Sequence, residues 1–196
     1  MRIWLAGMMA MLAFSVNAQD EKDTPEKLTY GDHAPELGEL EFIQGEPFKL
    51  ADHHKRRVTI VEFWATWCAP CKESAPFLSQ LYEKYKDTGL VVVGITDESP
   101  EVAKKYLEEM GDDMNYLVAT MGGDTQKKYL ESFGLEGIPY AFIIDKNGRV
   151  VWYGHPMNPF LHRKITPPLV AAIPEEFWPL TEELSHVNND EKIKEK

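Results

Sequence analysis

The chain of 196 residues contains two cysteines, Cys68 and Cys71, separated by Ala69 and Pro70. Two thiols at this spacing can form a reversible disulfide, exchange it with another, or offer soft ligands to a metal. A zinc site needs four ligands, and the chain has no third cysteine. As a passive staple the pair is weak, because closing a loop this short restricts the unfolded chain little. Reversible redox chemistry explains the spacing better. The flanking residues support it: the β-branched and apolar run Val58, Thr59, Ile60, Val61 and Phe63 leads through an aromatic-flanked turn into an amphipathic segment. A strand therefore delivers the dithiol to the start of a helix, where unpaired N–H groups and about half a positive charge favour thiolate over thiol. Glu62 is the anomaly of this run, a carboxylate in a strand whose apolar continuity suits burial on both faces.

Composition sets the outer bounds. With 43% hydrophobic and 11% aromatic residues the chain can bury a sizeable core. A net charge of -11 excludes nucleic acid or an anionic membrane surface as partner, since both demand a basic face. The one basic run, His53-His54-Lys55-Arg56-Arg57, is short and reads as a solvated turn. Residues 1–18 combine Arg2, an apolar stretch from Ile3 to Val16 and a small residue at Ala18, the pattern of a cleaved signal peptide. The apolar stretch is short of the roughly 20 residues of a spanning helix. No cysteine lies near the cleavage point to carry a lipid, so the expectation is an exported protein, periplasmic or equivalent, soluble after cleavage and without a stable membrane span. Export would place the cysteines in an oxidising compartment, where disulfides persist.

Residues 19–33 are polar and charged, with Pro25 and Gly31, and read as a linker; residues 34–173 are expected to form the domain, and 174–196 a partly disordered tail. Within the domain, Leu37 to Ile43 and Phe48 to Leu50 predict two short edge strands around Gly45-Glu46-Pro47. Val58–Phe63 and Leu90–Thr96 predict buried strands, and 69–87 a helix with one apolar stripe, closed by Gly89. Ser99 and Pro100 open a helix that Gly111 ends; 116–119 predicts a strand and 124–133 a helix. The segments 141–144 and 150–153 flank Asn147-Gly148, a strong hairpin signal. Parallel β-α-β units followed by a hairpin imply an α/β fold with a mixed sheet and helices on its faces. After Gly154, six prolines exclude a long helix but leave room for short ones at 168–173 and 175–184.

The residues Phe63-Trp64-Ala65-Thr66-Trp67-Cys68-Ala69-Pro70-Cys71-Lys72, with Gly137-Ile138-Pro139-Tyr140, resemble the two active-site motifs of the thioredoxin-like superfamily. Together with the export pattern, the extra N-terminal strands and the ending Gly148 to Pro156, they are most similar to the TlpA/ResA-type thiol-disulfide oxidoreductases. The resemblance spans about residues 34–156 and implies a three-layer α/β/α sandwich. It implies that Cys68 is the exposed attacking thiolate and Cys71 the more buried resolving thiol. It implies that Glu62 is a buried acid exchanging a proton with Cys71, its pKa raised by burial. Pro139 resembles the superfamily's cis-proline, Ile138 would offer its backbone to a bound peptide strand, and Trp67 and Pro70 would shape the rim. Trp64 reads as core. The proline-rich stretch after Gly154 departs from the single terminal helix of the family, and the strand 90–96 lacks the lysine some thioredoxins set near the acid.

The function implied is reduction of disulfides in specific exported proteins, as in cytochrome c maturation or metal-site assembly, with an upstream thiol as electron donor and no cofactor. Ala69-Pro70 lacks the histidine typical of strong oxidants, which favours reduction over the alternatives of oxidase or isomerase. A peroxiredoxin-like peroxidase normally places threonine three residues before its cysteine, whereas Thr66 is two before Cys68. A copper chaperone using Cys68, Cys71 and a distant residue such as His155 or Met157 usually has three residues between its cysteines. None of the six histidines forms a ligand pair on a helix, so they read as structural or solvated, and no metal site is expected.

Overall fold

The computed structural model describes residues 27–121, 125–158 and 161. The signal peptide, most of the linker, the tail and both short helices expected after Pro167 lie outside these residues. Among the described residues, six strands form one sheet: β1 (Leu40–Gln44), β2 (Val58–Phe63), β3 (Leu90–Thr96), β4 (Leu117–Met121), β5 (Tyr140–Ile144) and β6 (Val150–Gly154), in the order β1-β4-β3-β2-β5-β6. The strands β2, β3 and β4 run parallel, while β1, β5 and β6 pair antiparallel with their neighbours. The sheet is therefore mixed, as the β-α-β units and the hairpin require.

Among the described residues, three helices cover it: α1 (Ala69–Tyr85), α2 (Pro100–Met110) and α3 (Thr125–Ser132). Two hydrophobic clusters divide the core by sheet face. Val58, Ile60, Trp64 and Val92 pack with Leu78, Leu81 and Tyr85 of α1 and Ala103 and Met110 of α2. Val61, Phe63, Val93 and Ile95 pack with Tyr129 and Leu130 of α3. The period-two alternation of a strand sends successive residues of β2 to opposite layers, giving the three-layer α/β/α arrangement. Both β2 and β3 are buried along their whole length, which explains their unbroken apolar runs. Ser99 caps α2, its side chain accepting the Val102 N–H at 3.4 Å, with Pro100 at the first helical position. Helix α1 carries Pro76 in its interior, a position that lacks the N–H otherwise bonded to the carbonyl of Lys72.

Two expectations are revised. Of the two N-terminal strands expected, Leu40–Gln44 forms and pairs with β4, but Phe48 to Leu50 is not a strand. Leu50–His53 is a single 3-10 turn whose apolar member, Leu50, plugs into the core. Residues 28–34, the end of the stretch read as linker and the first residue of the expected domain, are tied to the domain by backbone bonds. Leu28 N–H donates to Ser132 O at 2.6 Å, Gly31 N–H to Val150 O at 2.8 Å and Ala34 N–H to Gly148 O at 2.8 Å. His33 adds an antiparallel bridge to Arg149. Among the described residues, no helix is long and apolar enough to cross a membrane.

Candidate active site

β2 ends at Phe63, and the Trp64 N–H still bonds to Ile95 O at 3.1 Å, so the chain leaves the sheet alongside β3. A turn closed by the Cys68 N–H on Ala65 O, at 3.1 Å, then sets Cys68 as the N-cap of α1. The Cys71 N–H points to Cys68 Sγ at 3.3 Å, and Pro70 occupies the first turn where no amide is needed. The two cysteines are joined in a disulfide with Cα atoms 5.3 Å apart. In this oxidised state the expected contrast in exposure is absent: Cys68 is 4% and Cys71 3% exposed. What reaches solvent is the rim, with Trp67 73% exposed and Pro70 exposed beside it. The helix start thus aims the Cys71 amide hydrogen at Cys68 Sγ.

Glu62 lies on the central strand, 1% exposed. By strand alternation it shares its sheet face with Ile60 and Trp64, the face whose core cluster also contains both cysteines. Its neighbours across the ladders are Gly94 on β3 and Ala141 on β5, two of the smallest residues available. The space left by Gly94 is occupied: a Cβ there would stand 3.0 Å from the Tyr116 ring, 3.1 Å from Trp64 Nε1 and 3.2 Å from Glu62 Oε2. The Tyr116 hydroxyl donates to Glu62 Oε2 at 3.3 Å, while Oε1 and Trp64 Nε1 have no partner among the described residues. Burial pushes the Glu62 carboxyl up to about 8, against the opposing pull of the Tyr116 bond. Burial first, and then the same carboxylate, hold the Tyr116 hydroxyl well above its ordinary range.

The second motif meets the first through the sheet. Tyr140 pairs with Phe63, so the Ile138-Pro139 bond, which is cis, lies just beyond the end of β5, next to where β2 gives way to the cysteine turn. Ile138 and Trp67 line one groove there. The sequence-derived residues Glu62, Trp67, Cys68, Pro70, Cys71, Ile138 and Pro139 therefore gather at one end of the sheet.

The AhpC/TSA family profile matches residues 30–153, more than half of the chain. The chain belongs to the AhpC/TSA family. It is 32% identical over 127 residues to the thiol-disulfide oxidoreductase ResA of Bacillus thuringiensis, covering 64% of this chain and 69% of ResA. It is 32% identical to the thiol:disulfide interchange protein HelX of Rhodobacter capsulatus, covering 75% of this chain and 79% of HelX. Among solved structures it is similar to a Chlorobium tepidum protein assigned as the thiol:disulfide interchange protein DsbE. The TM-score is 0.59 and the identity 30%, over 72% of this chain and 99% of the other. With its Cys68–Cys71 pair bonded, this AhpC/TSA member is a thiol-disulfide oxidoreductase of thioredoxin-like fold, and its substrates carry disulfides.

One residue of the AhpC/TSA site was not singled out by sequence. Glu98, just after β3, accepts the Thr66 N–H at 2.6 Å on Oε2 and the Thr66 hydroxyl at 2.7 Å on Oε1. Its Oε2 also accepts the Thr96 hydroxyl at 3.3 Å. A carboxylate on the neighbouring loop thus anchors the turn two residues before Cys68. Its sequence signal is faint, since an acid one residue before a Ser-Pro helix start reads as surface charge. Of the histidines, His53 is buried rather than solvated. Its Nδ1 lies 2.8 Å from Thr59 Oγ1 and its ring stacks on Phe48 at 4.1 Å. Burial lowers its pKa to about 4, with the neighbouring Arg57 charge acting in the same direction. His155 is exposed, its Nδ1 accepting the Met157 N–H at 3.2 Å.

Proposed function

We propose that this oxidoreductase reduces disulfides of exported proteins, with Cys68 as nucleophile, Cys71 as resolving thiol and Glu62 as the proton acceptor for Cys71. The observation that carries the reading is Cys68 as the N-cap of α1, its sulfur facing the Cys71 amide. In the reduced enzyme a Cys68 thiolate is favoured there and attacks one sulfur of a substrate disulfide. That bond breaks, the substrate's other sulfur departs as a thiolate and takes a proton, and a mixed disulfide with Cys68 remains. Cys71 gives its proton to Glu62 in its carboxylate form and attacks Cys68 Sγ, releasing the second substrate thiolate and closing the Cys68–Cys71 disulfide. Two electrons have passed to the substrate, and an upstream thiol must return two.

A carboxyl with a pKa of about 8 suits this exchange, because it lies close to that of a thiol. Ile138, Pro139, Trp67 and Pro70 frame the place where a substrate strand would lie. The export pattern at residues 1–18 supports a periplasmic or equivalent setting. The test is to trap substrates with Cys71→Ala, whose mixed disulfide should persist on Cys68, and to identify them by mass spectrometry. Equal capture by Cys68→Ala would sink the assignment. A dithiol potential in the range of strong oxidants would reverse the direction of electron flow.

A further inference from the structure

Among the described residues, the hydrogen-bond donor that reaches the Glu62 carboxyl is the Tyr116 hydroxyl, 3.3 Å from Oε2. The place of this tyrosine is set from two sides. Ser79 of α1, itself buried, donates to Asp113 O at 2.9 Å and accepts the Asn115 N–H at 3.2 Å, which fixes the turn just before Tyr116. Gln44 of β1 donates to Met114 O at 2.9 Å and to Tyr116 O at 2.5 Å. So held, the ring enters the cluster that contains Trp64 and both cysteines, and it is fully buried there. Gly94 leaves the room for the two groups to meet, because a Cβ at that position would stand 3.0 Å from Tyr116 Cε2 and 3.2 Å from Glu62 Oε2.

The contact is one-sided. Oε2 has the tyrosine hydroxyl, whereas Oε1 has no partner among the described residues. The sheet brings no charge to Glu62, since Gly94 of β3 and Ala141 of β5 flank it. Of the helices on this face, α1 contributes Cys68 and Cys71 to the same cluster. Tyr106 of α2 senses the Glu62 charge, but its buried hydroxyl makes no bond to it. Burial and the Tyr116 bond are thus the two opposing influences on the carboxyl.

We propose that Tyr116 is a positioning residue for disulfide exchange, pinning Glu62 through Oε2 so that Oε1 is the oxygen that takes the Cys71 proton, a reading that rests on the proton exchange proposed above. The proton of the Cys71 thiol passes to Oε1, the Cys71 thiolate bonds to Cys68 Sγ, and the substrate thiolate leaves. The tyrosine keeps its own proton throughout. It donates to Oε2 whether Oε1 is bare or protonated, and it holds the carboxylate more strongly than the acid. Without the hydroxyl, a larger share of the reduced enzyme would carry Glu62 as an acid, unable to accept from Cys71.

The test uses the full chain, reduced and mixed with a limiting amount of dithiobis(nitrobenzoate) in stopped flow. Release of the first thionitrobenzoate reports attack by Cys68, and release of the second, in a unimolecular phase, reports resolution by Cys71. Tyr116→Phe keeps the ring and removes the hydroxyl. It should slow the second phase about tenfold at neutral pH and raise its pH midpoint by about one pH unit, the scale of one hydrogen bond to a charged group. The Glu62 carboxyl carbon, followed by NMR in the oxidised protein, should show the same upward move. Adding Tyr116→Phe to Glu62→Gln should change nothing further, and Tyr106→Phe should leave the midpoint in place. An unmoved midpoint in Tyr116→Phe by either measurement, an equal loss in the Glu62→Gln background, or an equal shift in Tyr106→Phe overturns the positioning role alone. Resolution by Glu62→Gln at the wild-type rate overturns the proton exchange on which it rests.

Discussion

The two faces of the sheet are built on opposite principles. On the face covered by α3, Phe63, Tyr129, Phe133, Phe142 and Tyr153 form a cluster of rings with centroids between 4.9 and 5.9 Å apart. One buried polar atom in it, the Tyr129 hydroxyl, has no partner among the described residues. On the face covered by α1 and α2, Glu62 Oε1, Trp64 Nε1 and the Tyr106 hydroxyl are all buried without partners among the described residues. Each such group costs about 1–3 kcal/mol relative to a bonded one. The ring face spends its volume on stability, whereas the cysteine face keeps polar groups in a dry setting that raises the Glu62 pKa. Packing alone does not explain that face; the proton exchange proposed for Glu62 does.

This contrast can be broken or sharpened by substitution. Phe142→Ala should cost about 3–5 kcal/mol in denaturant unfolding, because Phe142 is fully buried and touches rings on several sides. It should leave the dithiol potential at its wild-type value, and a large shift would show that the faces are not separable. Glu62→Gln should slow resolution of the mixed disulfide about a hundredfold in stopped-flow measurements. It should also change how stability depends on pH. Between about pH 4.5 and 8 the folded carboxyl holds a proton that the unfolded chain has released, so wild-type stability falls as pH rises through this window. Thermal unfolding of oxidised Glu62→Gln should lose that slope and exceed wild type above pH 8.

Glu98→Gln comes next, at about 1–2 kcal/mol, since one acceptor of the Thr66 pair becomes a donor. Its diagnostic is a slower Cys68 alkylation rate in the reduced protein, which a purely structural loss far from the turn would not produce. A separate pH effect concerns His53. Its pKa is depressed when folded, so the unfolded chain takes up a proton first, and stability should fall as pH drops from about 6.5 to about 4. His53→Phe should flatten that slope in chemical unfolding series. An unchanged slope would place its origin elsewhere.

What was legible in the sequence followed short-range physics. The strands Val58–Phe63 and Leu90–Thr96 and the helix Pro100–Met110 stand where their apolar runs and caps put them. Glu62 stood out because a carboxylate inside such a run has few harmless explanations. Phe48 to Leu50 misled because a pair of apolar residues after a turn fits a strand or a plug equally well, and only the packing of Leu50 decides. The burial of His53 depends on Thr59 and Phe48 meeting it in three dimensions, so a run of basic neighbours pointed toward solvent. Glu98 escaped notice for the same reason, since a polar residue at a helix start normally faces water. The even burial of Cys68 and Cys71 reflects the closed bond and the screening turn, which no motif encodes.

The segment that precedes the first strand has a consequence for how these molecules meet one another. By bonding to Gly148 and Val150, residues 31–34 occupy hydrogen-bonding positions that β6 would otherwise offer at the sheet's outer margin. The opposite margin, β1, is interrupted by a bulge between Phe42 and Gln44 and carries the exposed Glu39 and Glu41 beside and within it. Both sides are thus poor templates for strand-to-strand stacking between copies, the usual route from a folded sheet to aggregates. Trimming the chain to begin at residue 35 should uncover β6 and make the apparent mass in light scattering rise with concentration more steeply than that of the full chain.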